Sequence, residues 1–275
     1  MPVLLGVMAS VLIGLSDYCG RFCSRRAQAT TTAGTAFVGG LGVTLVLVVI
    51  VSSSITVADL LLGAVSGVFI AIALSCMWHS LAVSSSAIAS PIVAAFTALG
   101  PLAYGISNGE SPSTAVAVGI AVTVVGLLVA VIVPQTVHNV GAGITYAVLG
   151  GIAFTIVIVL LDNTSVDSGI WPAVTQRASA LACMLVVTRA SRIPQILPPK
   201  LRLVALSGGI TGGLGMASFI AGVQRGPVGE VAVAGSLYPV VTIALAVILD
   251  GDTLRWWQAF GIAIVLAGTT MIAIG

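Results

Sequence analysis

The chain has 275 residues, of which 58% are hydrophobic and only 7% charged, with a net charge of +2. A soluble globular chain carries roughly 25% charged residues, so there is too little charge here to cover a water-facing surface, and no basic patch for a phosphate backbone. A soluble enzyme, a disordered tail and a nucleic-acid binder are excluded, and with a mean hydropathy of +1.19 the composition is that of an integral membrane protein in a lipid bilayer.

A membrane helix needs roughly 20 mostly apolar residues. The opening Met1-Pro2-Val3-Leu4-Leu5 lacks the basic start of a signal peptide, and its apolar run outlasts one, so it reads as a mature span. Charges punctuate the rest of the chain. None lies between Arg26 and Asp59, between Asp59 and Glu110, or between Glu110 and Asp162. Each of the last two gaps holds two spans and a turn, with breaks at Ser84-Ser85-Ser86 and at Pro134-Gln135-Thr136-Val137-His138-Asn139. The predicted spans are 3–22, 32–52, 60–80, 87–107, 114–133, 142–161, 170–188, 203–223, 230–249 and 256–274. This is an all-α integral membrane fold of ten transmembrane helices, with its longest linker near Arg189–Lys200. The alternating strands of an outer-membrane barrel are missing. Cys19, Cys23, Cys76 and Cys183 fall in apolar stretches and read as small hydrophobes, not disulfide partners or metal ligands. Neither a metal nor a cofactor is expected.

Ten spans divide into five and five. Sliding the chain by 142 residues lays 76–132 on 218–274 without a gap. The weight rests on which positions agree. Gly109-Glu110 falls on Gly251-Asp252, Gly119-Ile120-Ala121 on Gly261-Ile262-Ala263, and Gly126 on Gly268. The acid lies in the turn before the last helix of each half, and the glycines line one face of that helix. Because five is odd, the second half must insert upside down. Residues 1–137 and 138–275 are therefore expected to form two inverted five-helix repeats, the plan of secondary transporters with a pathway between the halves.

Gly251-Asp252-Thr253-Leu254, followed by Gln258 and Gly261, resembles the Gly-Glu-Arg-Leu signature closing each half of EamA-type proteins. Those belong to the drug/metabolite transporter superfamily. Arg225-Gly226-Pro227-Val228 leading to Leu237-Tyr238-Pro239-Val240-Val241-Thr242 matches further. Gly14-Leu15-Ser16-Asp17-Tyr18 with Ser24-Arg25-Arg26, and Leu160-Leu161-Asp162 with Gly169-Ile170-Trp171-Pro172, resemble an actinobacterial branch. The resemblance spans essentially the whole chain. It implies a ten-helix exporter or importer of small metabolites with a central cavity. Asp252 replaces the usual Glu, and the Arg that follows it in the signature is absent.

Asp17 is the sharpest candidate for the solute path, beside Tyr18 and one turn before Arg21 on the same face. A charge at mid-depth is costly and commonly faces a cavity; the alternative is a neutralising Asp17–Arg21 pair. Gln176 and Arg177 follow Trp171-Pro172 in the seventh span. Arg177 either clamps a carboxylate or phosphate or snorkels to the headgroups. Trp78 and His79 close the third span, as an interfacial anchor or as a group that senses a proton gradient. Glu230, near Arg225, fits the first turn of a helix. Glu110 and Asp252 precede the natural N-caps Ser111 and Thr253, so both read as structural.

Tyr238 offers a cavity hydroxyl. Pro91 and Pro101 in the fourth span and Pro239 in the ninth read as kinks, and so as candidate gates or static bends. Gly213-Leu214-Gly215-Met216-Ala217-Ser218 imitates a dinucleotide fingerprint without the strand and acid that motif requires. Gly208, Gly212 and Gly215, with Gly119, Gly126, Gly261 and Gly268, instead allow close helix packing. No nucleophile–base pair, metal cluster or phosphate loop argues for an enzyme. The expected function is secondary transport of a small organic solute or drug-like molecule, as an exporter in the plasma membrane, driven by the solute gradient or by protons. Its rival is a non-transporting structural or sensory membrane protein.

Basic residues in short loops mark the cytoplasmic side. Arg21, Arg25, Arg26, Arg189, Arg192, Lys200, Arg202 and Arg255 flank odd-numbered loops; only Arg177 and Arg225 fall with the even ones. The count places odd loops inside and both termini outside, whereas the resemblance implies both termini inside. In a cysteine-free background, Ser54→Cys should react with an impermeant thiol reagent in whole cells while Pro199→Cys stays protected. The opposite labelling overturns the count.

Overall fold

The computed structural model describes residues 2–50, 53–107, 113–130, 139–223, 234–235 and 237–274. In lipid every backbone polar group must be paired within the segment, so long apolar runs have no alternative to helix. Ten α-helices result among the described residues: α1 (Pro2–Ser24), α2 (Ala29–Ile50), α3 (Val57–Val83), α4 (Ser86–Ser107), α5 (Thr114–Ala130), α6 (Val140–Asp162), α7 (Trp171–Ala190), α8 (Pro199–Val223), α9 (Tyr238–Asp250) and α10 (Trp256–Ile274). No strand occurs among the described residues. By length and composition α1, α2, α3 and α6 can each cross a membrane.

The surface is inverted relative to a soluble protein. Val46, Val49, Ile50, Val186, Leu203 and Ile248 stand exposed, while Thr32, Ser66, Ser80, Ser90, Thr123 and Thr242 are buried. Apolar side chains outside and hydroxyls inside are what a multi-pass membrane protein requires.

Nine helices begin within about four residues of the predicted spans, the margin expected for helix ends. The predicted start of the ninth, at residue 230, lies outside the described residues. Ala234 and Gly235 are helical, Leu237 is a turn, and α9 runs from Tyr238 with Pro239 in its first turn, where its missing N–H costs little. Pro91 is buried within α4; Pro101 lies in the same helix, and its side chain is outside the described set. The expected break at Pro134–His138 and the acids Glu110 and Glu230, with Arg225, also lie outside the described residues.

The packing is pairwise and close. α1 lies on α8 and α3 on α6; α2 lies on α8 and α3 on α7; α4 lies on α6 and α9 on α1; α2 meets α7, and α5 meets α10. Glycine makes these approaches possible. A Cβ at Gly209 would collide with the Ala36 carbonyl oxygen, and one at Gly39 would lie 2.5 Å from that of Leu206. Gly208, Gly212 and Gly215 face Cys19, Ser16 and Ile13 of α1. Hydroxyls then bond across the seams: Ser80 Oγ donates to the Gly143 carbonyl at 2.6 Å, and Thr155 Oγ1 to that of Phe96 at 2.9 Å.

The loops are tied at both ends of the bundle. At the odd-loop end Thr31 Oγ1 donates to the Pro194 carbonyl at 2.6 Å. At the other, the Ser54 N–H donates to the Asp167 carbonyl at 2.8 Å, and the Ser165 N–H to Asp59 Oδ1 at 2.9 Å. Gly209→Ala should destabilise the purified protein by about 1–3 kcal/mol, the usual cost of overpacking. Gly42→Ala, with nothing within 4 Å of its added carbon, should leave thermal unfolding unchanged.

Candidate functional site

Asp17, Tyr18 and Arg21 occupy the last turns of α1, with Arg25 just beyond its end. Asp17 is 4% exposed and accepts a hydrogen bond from Trp78 Nε1 at 3.4 Å. The indole lies directly on Gly20, where an added Cβ would collide with the ring. Trp78 is 1% exposed, so it is no interfacial anchor. Tyr238, at the start of α9, is within electrostatic reach of Asp17 and of the Thr97 hydroxyl, and packs on the core that contains Trp78.

Arg21 does not pair with Asp17. It is 0% exposed, and its two terminal nitrogens bind Asp250 and Asp252, the latter at 2.6 Å. Its Nε adds a 3.4 Å bond to the Leu81 carbonyl. The Tyr18 hydroxyl donates to Asp250 at 3.1 Å, and Arg25 reaches both acids from outside at 3.6–3.8 Å. One glycine builds this arrangement. Gly251 closes α9 in the left-handed conformation, with φ +69°, which turns the chain so that the acids on either side of it face α1. Asp252 is therefore the counter-charge of an arginine 231 residues away. Asp250 carries no expectation from the sequence at all. The available signal is two acids flanking a glycine on an odd loop, opposite three arginines at the first.

The α7 residues diverge. Trp171 opens the helix, and Gln176 donates to Ser66 Oγ of α3 at 3.0 Å. Arg177 points to α2, its guanidinium carbon 5.7 Å from the Phe37 ring centroid. It is 9% exposed, so it does not snorkel to the headgroups. His79 stacks edge-on to Tyr146, with centroids 4.5 Å apart. With Arg25, Gln28 and Pro194 it lines a recess of about 620 Å³ at the odd-loop end. All four cysteines are free, and the described residues hold no metal-ligating cluster.

Residues 141–274 match the EamA-like transporter family. The match covers the second part of the chain, just under half of its length, and that family consists of transporters. No curated protein matches the chain significantly. A solved structure described as "Crystal structure of protein" is similar over 98% of this chain and 95% of its own, with a TM-score of 0.67 and 16% identity. At that identity the likeness shows the fold alone. Within the matched segment Asp252 is held by Arg21 of α1.

Arg21→Gln should destabilise the protein by about 3–5 kcal/mol, because two acids lose a buried partner. Arg25→Gln removes pairs that are long and partly hydrated, and should cost no more than about 1 kcal/mol. Thermal unfolding of both variants in detergent checks the contrast.

Proposed function

We propose that the protein is a secondary carrier that moves a small organic solute by alternating access between two inverted five-helix units, residues 1–137 and 138–275. One observation carries this reading. Close contacts of α5 and α10 are reciprocal: a Cβ at Gly126 would lie 2.9 Å from the Gly261 carbonyl oxygen, and one at Gly268 would lie 2.8 Å from that of Gly119. Those are the same positions exchanged between the halves. The wider packing supports it too, since replacing each helix number n by n+5 carries α1 on α8 into α3 on α6, and α2 on α8 into α3 on α7.

The cluster of Arg21, Asp250 and Asp252 is then a latch. It joins the first unit to the second at the odd-loop end, and opening that end requires breaking it. Asp17, Trp78 and Tyr238 lie inboard of the latch and form part of the solute path. With no nucleotide-binding motif, the energy comes from the solute gradient or from protons taken up at Asp17. Direction is outward across the plasma membrane, and the α1 and α6–α7 motifs favour the actinobacterial branch.

The test is exchange of labelled solutes in proteoliposomes across a broad metabolite panel. At least one solute should exchange, and Asp17→Asn should slow it at least tenfold while the melting temperature holds. Folded protein that exchanges nothing in the panel overturns the reading.

A further inference from the structure

Among the described residues two arginines are buried, and the fold treats them in opposite ways. Arg21 has two carboxylates, a tyrosine-bonded network and a backbone carbonyl around it. Among the described residues Arg177 has none of these. Its Nε is buried with no hydrogen-bond partner, and it makes no ion pair with any described carboxylate. Its surroundings are a ring face and glycine backbone: Phe37 beneath the guanidinium, and Gly40, where an added Cβ would stand 3.5 Å from Cδ and Nε. Gly40 in turn lies against the Gly209 carbonyl oxygen, so the side chain occupies the seam of α2, α7 and α8. Gln176, its neighbour, is spoken for by Ser66.

A lysine so placed could shed its proton, but an arginine stays charged. An unpaired guanidinium out of water is costly, and only an anion removes that cost without removing the residue. Its fork of donors matches planar or tetrahedral oxyanions. We propose that Arg177 is the anion-binding group of the solute path, and that the transported solute bears a carboxylate or phosphate group. The assignment rests on the carrier reading and adds the class of solute to it. The Phe37 face lies on one side of the cation, with the guanidinium carbon 5.7 Å from the ring centroid.

The test is ligand-induced thermal stabilisation of the purified full chain in phosphatidylcholine nanodiscs, with inorganic phosphate, succinate and benzoate as probes and benzamide and chloride as controls. At least one oxyanion should raise the melting temperature by several degrees, where benzamide and equal ionic strength of chloride do not. Arg177→Gln should abolish the shift, Arg177→Lys should weaken apparent affinity at least tenfold, and Lys200→Gln, an exposed cation, should leave it unchanged. If Arg177→Gln does not fold, the Lys variant carries the same comparison. No response to any oxyanion, or an undiminished response in the variants, overturns the proposal. A response lost when phosphatidylglycerol is added assigns the site to a lipid phosphate and overturns the solute assignment. The carrier reading is separable. Exchange of an uncharged or cationic solute that Arg177→Gln leaves intact keeps the carrier and removes the anion, whereas oxyanion binding with no flux of any solute keeps the site and removes the carrier.

Discussion

Nothing in a bilayer pushes apolar helices together, because lipid tails are as good a neighbour as another leucine. Association has to come from contact itself, and contact at this range requires that side chains be absent. Gly209 against Ala36, Gly39 against Leu206 and Gly126 against Gly261 let backbones approach to distances that an alanine forbids. Once they are that close, short hydroxyl side chains become interhelical donors. Ser80 reaches Gly143, Thr155 reaches Phe96, and Thr242 reaches Gly14. The glycines come first in this chain of causes: without them the carbonyls across the seams are out of reach of these hydroxyls.

The same scarcity of water governs the charges. Arg21 is tolerated because Gly251 bends the end of α9 back and presents two acids to it. Losing one side of such a cluster costs about 3–5 kcal/mol. In the carrier reading that magnitude matters. A factor of ten in a two-state equilibrium takes about 1.4 kcal/mol, so even a fraction of that magnitude biases the latched end toward the shut state. It remains small enough for the binding energy of a solute to offset.

Most helices are legible because apolar length and the spacing of charges are local properties that lipid enforces residue by residue. The features that escape the sequence are non-local or depend on facing. Asp252 reads only as a structural turn residue before the N-cap Thr253, while its partner Arg21 is 231 residues away. Arg21 in turn resembles a partner of Asp17, one turn earlier, because sequence spacing sees only the same helix. Trp78 and Arg177 sit near span ends, where exposure is the natural expectation; only packing shows that both turn inward.

Charge balance connects the latch to the interior. Since Arg21 is drawn toward Asp250 and Asp252, Asp17 is left with the Trp78 N–H and with no ion pair among the described residues. Arg177 is left with a ring face. Away from the loops, the described interior thus holds one acid and one base, each unneutralised and each on a different helix, with the Phe37 and Trp78 core between them. An oxyanion at Arg177 settles one of these charges only. Under the carrier reading the other must be met separately, and a proton on Asp17 is the smallest charge that meets it. The two residues then act together as an electrostatic pair: an interior that admits an anion at α7 is close to neutral when α1 carries its proton, and a single negative charge worse off when it does not.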